Sequence, residues 1–220
     1  PEIRSFLNDS DELILLEAAR AIHDDQSIPE ALPDLAAVLK RKGLKNEALI
    51  RRAINAALRT GSGSDLDLLA GYIRSGEGSA KMRRTALASI LWWANPPVLD
   101  PVEGRYRKHE PRDKGLVNKV VESVREIILS DNELTEVLLK GVEVRGEATW
   151  LRGTKKYFAE WPPKMQVRLL AALDKTNSPE LKEFVIQGLE SNSSEVREKS
   201  RSFANKAGVP TLNLILATLG

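Results

Sequence analysis

Cysteine is absent from the 220 residues, so no disulfide, thiolate metal site, cysteine nucleophile or C-x-x-C-H haem attachment can be built from this chain. Histidine is nearly as scarce. His23 and His109 are the only two, far apart and in different kinds of segment, which argues against a His-based metal site or triad. Aromatic residues make up 5%, too few for a sandwich of β-branched and aromatic strands. No run approaches the roughly 20 apolar residues that span a bilayer, and no basic-then-apolar leader opens the chain. An excess of one charge is also missing. The 33 Lys and Arg are interleaved with 31 Asp and Glu for a net charge of +2, so bulk attraction to nucleic acid or an anionic membrane surface is not expected. Nor does any G-x-S-x-G, H-E-x-x-H, phosphate-binding or dinucleotide fingerprint occur, and Gly61-Ser62-Gly63 and Gly76-Glu77-Gly78 lack a third, helix-opening glycine. No catalytic, cofactor-binding or metal-ligating residue is assigned. The acidic clusters Asp9, Asp11, Glu12 and Asp24, Asp25 lie at expected helix ends, where capping and solvation explain them.

What is present is leucine, alanine and a recurring phrase: an aliphatic residue, a basic residue, then small and aliphatic residues at helical spacing. It stands as Ile50-Arg51-Arg52-Ala53-Ile54, Met82-Arg83-Arg84-Thr85-Ala86-Leu87, Val167-Arg168-Leu169-Leu170 and Val196-Arg197-Glu198-Lys199-Ser200. From Arg51 to Arg83 is 32 residues and from Arg168 to Arg197 is 29, intervals that suit a pair of short helices joined by tight turns and fall below the ~40 of HEAT and armadillo units. A degenerate copy, Glu12-Leu13-Ile14-Leu15-Leu16-Glu17-Ala18-Ala19, precedes them. The arginines of the phrase have two readings, as phosphate ligands on one face or as braces to neighbouring hairpins through carboxylates and carbonyls. The interleaved acids favour the brace.

The pattern predicts helices near 11–24, 29–42, 45–60, 64–75, 79–93, 115–130, 132–145, 147–159, 163–175, 178–190, 194–207 and 209–219. Apolar stripes such as Val117, Val120, Val121, Val124, Ile127 and Ile128, or Leu181, Phe184, Val185 and Leu189, carry this reading. Start signals include Ser178-Pro179, Ser27 with Glu30 and Ser64 with Asp67; stop signals include Gly43 and Gly61. The expected fold is all-α: a right-handed α-solenoid of about six HEAT-like helical hairpins, one repeat domain over 1–220, with a proline-rich insertion at about 94–114. Four prolines and Gly104 exclude a continuous helix there. Pro1 stands in place of an initiator Met and the last residues stop within the apolar pattern Leu214-Ile215-Leu216, so the chain is expected to be a piece of a longer protein.

Trp92-Trp93 at the start of the insertion and Arg105, Tyr106 and Arg107 at its far end combine stacking surfaces with cations, the chemistry of protein hot spots and of single-strand nucleic-acid sites. Adjacent tryptophans point to different sides of a helix, so at least one is expected to pack the loop onto the stack. Trp150 and Trp161 are expected in the core or between repeats.

At the insertion a resemblance appears. The stretch Leu91-Trp92-Trp93-Ala94-Asn95-Pro96-Pro97-Val98-Leu99-Asp100-Pro101-Val102-Glu103-Gly104-Arg105-Tyr106-Arg107, continuing to Glu110-Pro111-Arg112-Asp113, resembles the helical-repeat portion of large bacterial PVC-type haem-binding, or putative membrane-bound dehydrogenase, proteins. In that family a sugar-dehydrogenase-like β-propeller, HEAT repeats and a cytochrome c segment share one exported polypeptide. The likeness covers only the HEAT part, so it carries over no catalytic or haem residue and no cofactor. It implies an extracytoplasmic redox context in which this piece spaces or docks other modules. The function expected is therefore a non-catalytic scaffold for protein or interdomain docking, with other domains of the same polypeptide or a protein as partner. Two alternatives stand beside it: a HEAT-like nucleic-acid binder or base-excision enzyme using the repeated arginines with Trp92, Trp93, Trp150 and Trp161, and a lone enzyme with an unfamiliar site.

Overall fold

The computed structural model describes residues 2–25 and 27–209. Among them the regular structure is helical: α1 (Glu12–Asp24), α2 (Leu32–Ala37), α3 (Glu47–Thr60), α4 (Gly63–Ser75), α5 (Ala80–Trp92), α6 (Lys114–Ser130), α7 (Asn132–Arg145), α8 (Lys155–Phe158), α9 (Pro163–Lys175), α10 (Leu181–Leu189) and α11 (Ser194–Ala204). Short 3₁₀ segments cover Glu2–Asn8, Pro29–Ala31, Val38–Lys40 and Ala148–Leu151. The expected all-α class is what the protein shows. Of the predicted helix at 209–219, only Val209 is described, outside any helix, and the rest falls outside the described residues.

Departures from the predicted boundaries have local causes. The expected helix at 29–42 is three pieces, because Pro29 and Pro33 are each accommodated only in a first turn, so the α-helix restarts at Leu32 and tightens to 3₁₀ at Val38. The expected helix at 147–159 is broken at Gly153, whose φ of +81° is left-handed. Ser178 does not cap α10 directly. Asn177 adopts φ +49° after α9, and α10 begins only at Leu181. The cap predicted at Ser64 with Asp67 lies two residues earlier, as a capping box between Ser62 and Asp65. Gly61 closes α3 in the left-handed conformation, as its place after Arg59 predicts.

The described residues divide into two compact units, one up to residue 128 and one from 129 onward. In the first, α1, α3 and α5 pack side by side in chain order, while α2 and α4 cover them from a second layer. In the second, α7, α9 and α11 form the equivalent row and α10 packs on it. The core is aliphatic and thin, with Leu15, Ile22, Leu49, Ile54, Leu66, Leu69 and Ile73 closed off in the first unit. In the second, Leu169 and Leu173 join an edge-to-face pair, Phe158 and Phe184, whose centroids are 5.2 Å apart.

Polar contacts repeat with the helices. At helix starts, the Glu12 carboxylate accepts the backbone N–H of Lys45 and Asn46 just before α3 (2.9 and 2.8 Å), and Glu47, the first residue of α3, accepts from Ser79, the cap of α5 (2.5 Å). At helix ends, a cation at the end of one row helix, or just beyond it, reaches a carbonyl at the end of the previous one: Arg59 to His23 (2.6 Å), Lys175 to Glu143 (2.6 Å) and Lys206 to Asp174 (3.4 Å). The sequence separations are 36, 32 and 32 residues, so one structural step recurs inside each unit. A cation on helix-terminal carbonyls also complements the macrodipole.

Candidate functional site

The insertion leaves α5 and folds back over the ends of α1 and α3. Its centre is a small hairpin. Asp100 N–H donates to the Arg105 carbonyl (2.8 Å), Arg107 N–H to the Val98 carbonyl (2.7 Å), and Gly104 N–H closes the turn on Asp100 (2.8 Å). Gly104 sits at φ +70°, where a side chain would be strained.

Asp100 anchors the hairpin to the helices. One carboxylate oxygen accepts the backbone N–H groups of Val102 and Glu103 at 2.9 and 3.0 Å; the other accepts from Arg107 Nε and Asn55 Nδ2, both at 2.8 Å. Asn55, buried on α3, gives its second amide proton to His23 Nε2 at 2.8 Å. An amide nitrogen only donates, so His23 carries its proton on Nδ1 and donates it in a hydrogen bond to Asp24 Oδ1 at 2.7 Å. Asp24 in turn receives Arg52 in a two-point contact, 3.1 Å from Nε and 2.8 Å from the terminal nitrogen. Three carboxylates, Asp24, Asp100 and Glu103, thus face three guanidinium groups, Arg52, Arg59 and Arg107, around one histidine and one amide; the Arg107–Glu103 pair is a direct contact.

The environment sets the charges. Burial pushes the His23 pKa below its ordinary 6.5, Arg59 adds to this, and the bond to Asp24 opposes it without reversing it. Burial works against the Asp100 carboxylate, but the hydrogen bonds from the Glu103 backbone, Asn55 and the Val102 backbone outweigh it and leave its pKa below 3.8. Asp24 is lowered for parallel reasons: burial raises it, and bonds from Arg52 and His23 prevail. The ring is therefore neutral and both aspartates are charged at pH 7.

Ligand atoms of His23, Asp24 and Glu103 lie within 4.8 Å of one another, a spacing that invites a cation. The donors do not fit one well. Arg52 holds Asp24, Arg107 holds Glu103 and Asn55 occupies His23 Nε2, so a metal would have to displace two guanidinium groups and an amide. The cluster is a latch that fastens the insertion to α1 and α3.

A second fastening closes the exit of the insertion. Arg112 N–H donates to the Ala94 carbonyl (3.1 Å), and its guanidinium lies 4.6 Å from the Trp93 ring centroid. The same guanidinium occupies the space where a Cβ on Gly61 would stand, 2.6 Å away. Gly61 thus serves both the left-handed cap of α3 and the approach of Arg112.

The five candidate contact residues separate into two groups. Trp93 is fully buried beneath Arg112, and the Arg107 side chain, 12% exposed, is spent on Asp100 and Glu103. Trp92, Arg105 and Tyr106 face solvent, and Val98 and Leu99 join them at 59% and 56% exposure. The two aliphatic residues were not singled out from sequence; their place between Pro97 and Pro101 was the available signal. Trp150 and Trp161 are core residues, 5% and 4% exposed, with Trp161 Nε1 donating to the Leu129 carbonyl at 3.4 Å.

Two arginines of the repeated phrase, Arg52 and Arg168, brace their helix to a neighbouring one, and a third, Arg197, ties its own turn. Arg52 binds Asp24, Arg168 binds Glu143 (2.7 Å) and Glu136 (3.3 Å), and Arg197 donates to the Ser191 carbonyl (2.7 Å). No helix among the described residues is long and apolar enough to cross a membrane. No known protein family, curated protein or solved structure matches the chain.

Proposed function

We propose that this chain is a non-catalytic helical-repeat scaffold, its hairpins of HEAT type wound as a right-handed α-solenoid, and that the insertion is its docking surface for a protein partner or a neighbouring domain of the same polypeptide. One observation carries the reading: a non-helical hairpin is held on helices by a buried charged network, yet it turns Val98, Leu99 and Tyr106 to solvent. An insertion kept only for stability would bury those groups, since exposed apolar residues gathered at one place characterise binding surfaces. The resemblance noted for residues 91–113 supplies the context, a spacer between the modules of an extracytoplasmic redox protein.

The test is association between this chain and the polypeptide segments encoded on either side of it, expressed separately and titrated calorimetrically. A Leu99→Ala, Tyr106→Ala double variant, both sites exposed and outside the latch, is expected to weaken association at least tenfold. Unchanged affinity removes the docking reading.

A further inference from the structure

Leu99 and Tyr106 face each other as an isolated antiparallel bridge. The bonds beside them run from Asp100 N–H to Arg105 and from Arg107 N–H to Val98, which makes Leu99 and Tyr106 the non-hydrogen-bonded type of pair. In such a pair each residue's own N–H and C=O turn outward, away from the opposing strand. Neither backbone has a hydrogen-bond partner among the described residues, and the side chains are 56% and 70% exposed.

The two edges of the hairpin are not equivalent. Outward positions alternate along an extended chain. On the Leu99 side the neighbouring outward positions are Pro97 and Pro101, which have no N–H to offer, a common way to blunt a strand edge. On the Tyr106 side the next outward position is Lys108, whose backbone likewise has no partner among the described residues. That edge is open at two successive positions. It is also flanked by cations: the side chains of Arg105 and Lys108 are 61% and 78% exposed, and their nearest carboxylates, on Glu103 and Glu110, are 3.8 Å away, at the outer limit of an ion pair.

We infer that the Tyr106 edge accepts an extended, acidic segment of a protein partner as an added β-strand alongside residues 104–108. The inference rests on the docking reading above and specifies its occupant. Main-chain bonds would form at Tyr106 and Lys108, an apolar side chain would lie on the Leu99–Tyr106 pair, and the carboxylates, on the opposite face of the added strand, would meet Arg105. A helical partner could cover the apolar pair but would leave the outward N–H and C=O groups without partners, which is why a strand is the better complement.

The probe is a blocked hexapeptide of alternating valine and glutamate, titrated into the whole chain and followed by NMR shifts of residues 104–108. Its counterpart methylated on every backbone nitrogen keeps the side chains but cannot donate to the edge. Expected results are binding of the first peptide, at least tenfold weaker binding of the second, and a similar loss in Lys108→Pro with only a few-fold loss in Lys108→Gln. The methylated peptide requires no variant, so the result stands even if Lys108→Pro fails to fold. Equal binding of the two peptides, or no binding of the first at millimolar concentration, overturns strand addition. If association with the flanking segments is still lost in the Leu99, Tyr106 double variant, docking survives and only its mode is wrong; if that association is also unaffected, both readings fall.

Discussion

Asn55 and Asp100, 45 residues apart, meet at 2.8 Å, and through this one amide–carboxylate bond the hairpin of the insertion is tied to α3. The amide cannot be replaced cheaply, because it satisfies His23 at the same time. Asn55→Ala leaves two buried acceptors short of a donor and is expected to destabilise the protein by about 1–3 kcal/mol. Asp100→Ala removes the shared acceptor of Arg107 Nε, the Asn55 amide and the backbone N–H groups of Val102 and Glu103, leaving Glu103 as the carboxylate on Arg107, and is expected to cost about 3–5 kcal/mol. Urea midpoints measure both, and limited proteolysis within 94–113 reports whether the hairpin detaches first. If both variants lie within about 0.5 kcal/mol of the parent, the range for ordinary surface changes, the latch has no energetic role.

The same network predicts how stability responds to acid. His23 has its pKa lowered in the folded state, so below the ordinary value of 6.5 the unfolded chain takes up a proton that the folded chain refuses. Stability is therefore flat above this pH and falls as pH drops from about 6.5 towards the folded pKa. A protonated ring would point an N–H at the Asn55 amide and sit among Arg52, Arg59 and Arg107, with Asp24, Asp100 and Glu103 in partial compensation. His109 is shifted in the same direction, chiefly by burial, and is less enclosed than His23. The aspartates act in another window, because Asp24 and Asp100 have lowered pKa values and lose their stabilisation only below about pH 4. Denaturant midpoints at pH 7.5, 6.0 and 5.0 test this: His23→Gln is expected to remove most of the slope and His109→Gln a smaller part. A slope untouched by His23→Gln contradicts the assignment.

Most of the helices were legible because their signals are local. The stripe of valines in α6 and the Leu181, Phe184, Val185, Leu189 stripe of α10 are buried except for Ile127, which is partly exposed, and the brace role of Arg52 and Arg168 follows from the interleaving of acids with bases. The breaks at Pro33 and Gly153 were lost because an apolar stripe can pass through a local kink. The latch was not legible at all. Nothing near His23 announces that its partner is Asn55 or that an aspartate between Leu99 and Pro101 will complete the chain, since those contacts depend on how the hairpin folds back. Of the two adjacent tryptophans, sequence could say that they diverge; that Trp93 is the buried one, beneath Arg112, depends on how the insertion folds back.

Gly61 and Gly76 offer a matched comparison. Both end a helix with positive φ, +74° and +67°, so an alanine at either is strained by roughly 1–2 kcal/mol. They differ in surroundings: a Cβ at Gly76 meets nothing within 4 Å, whereas one at Gly61 meets the Arg112 guanidinium at 2.6 Å. Gly61→Ala must therefore also lift Arg112 from Trp93, with an additional cost of about 0.5–2 kcal/mol for the lost cation–π contact. The thermal midpoint is expected to fall further in Gly61→Ala than in Gly76→Ala, accompanied by a change in tryptophan emission in the first only. Equal midpoints and unchanged emission argue that Arg112 does not hold the insertion.

The nucleic-acid alternative makes a prediction that a single anisotropy titration decides. Binding to a duplex needs cations free to replace counterions, and each phosphate contact adds about 0.9 to the slope of affinity against salt. Here Arg52 is committed to Asp24, Arg107 to Asp100 and Glu103, Arg168 to Glu143 and Glu136, and Arg197 to a carbonyl. Releasing any of them leaves a carboxylate or carbonyl exposed to the incoming phosphate. The aromatic surfaces are no freer, since Trp93, Trp150 and Trp161 are buried, and Trp92 alone of the four tryptophans is exposed. A labelled duplex at 150 mM salt is therefore expected to bind no tighter than about 10⁻⁴ M, the weak end of non-specific association. Micromolar binding that weakens steeply with salt would show that the braces open, and would return the repeated arginines to the role of phosphate ligands.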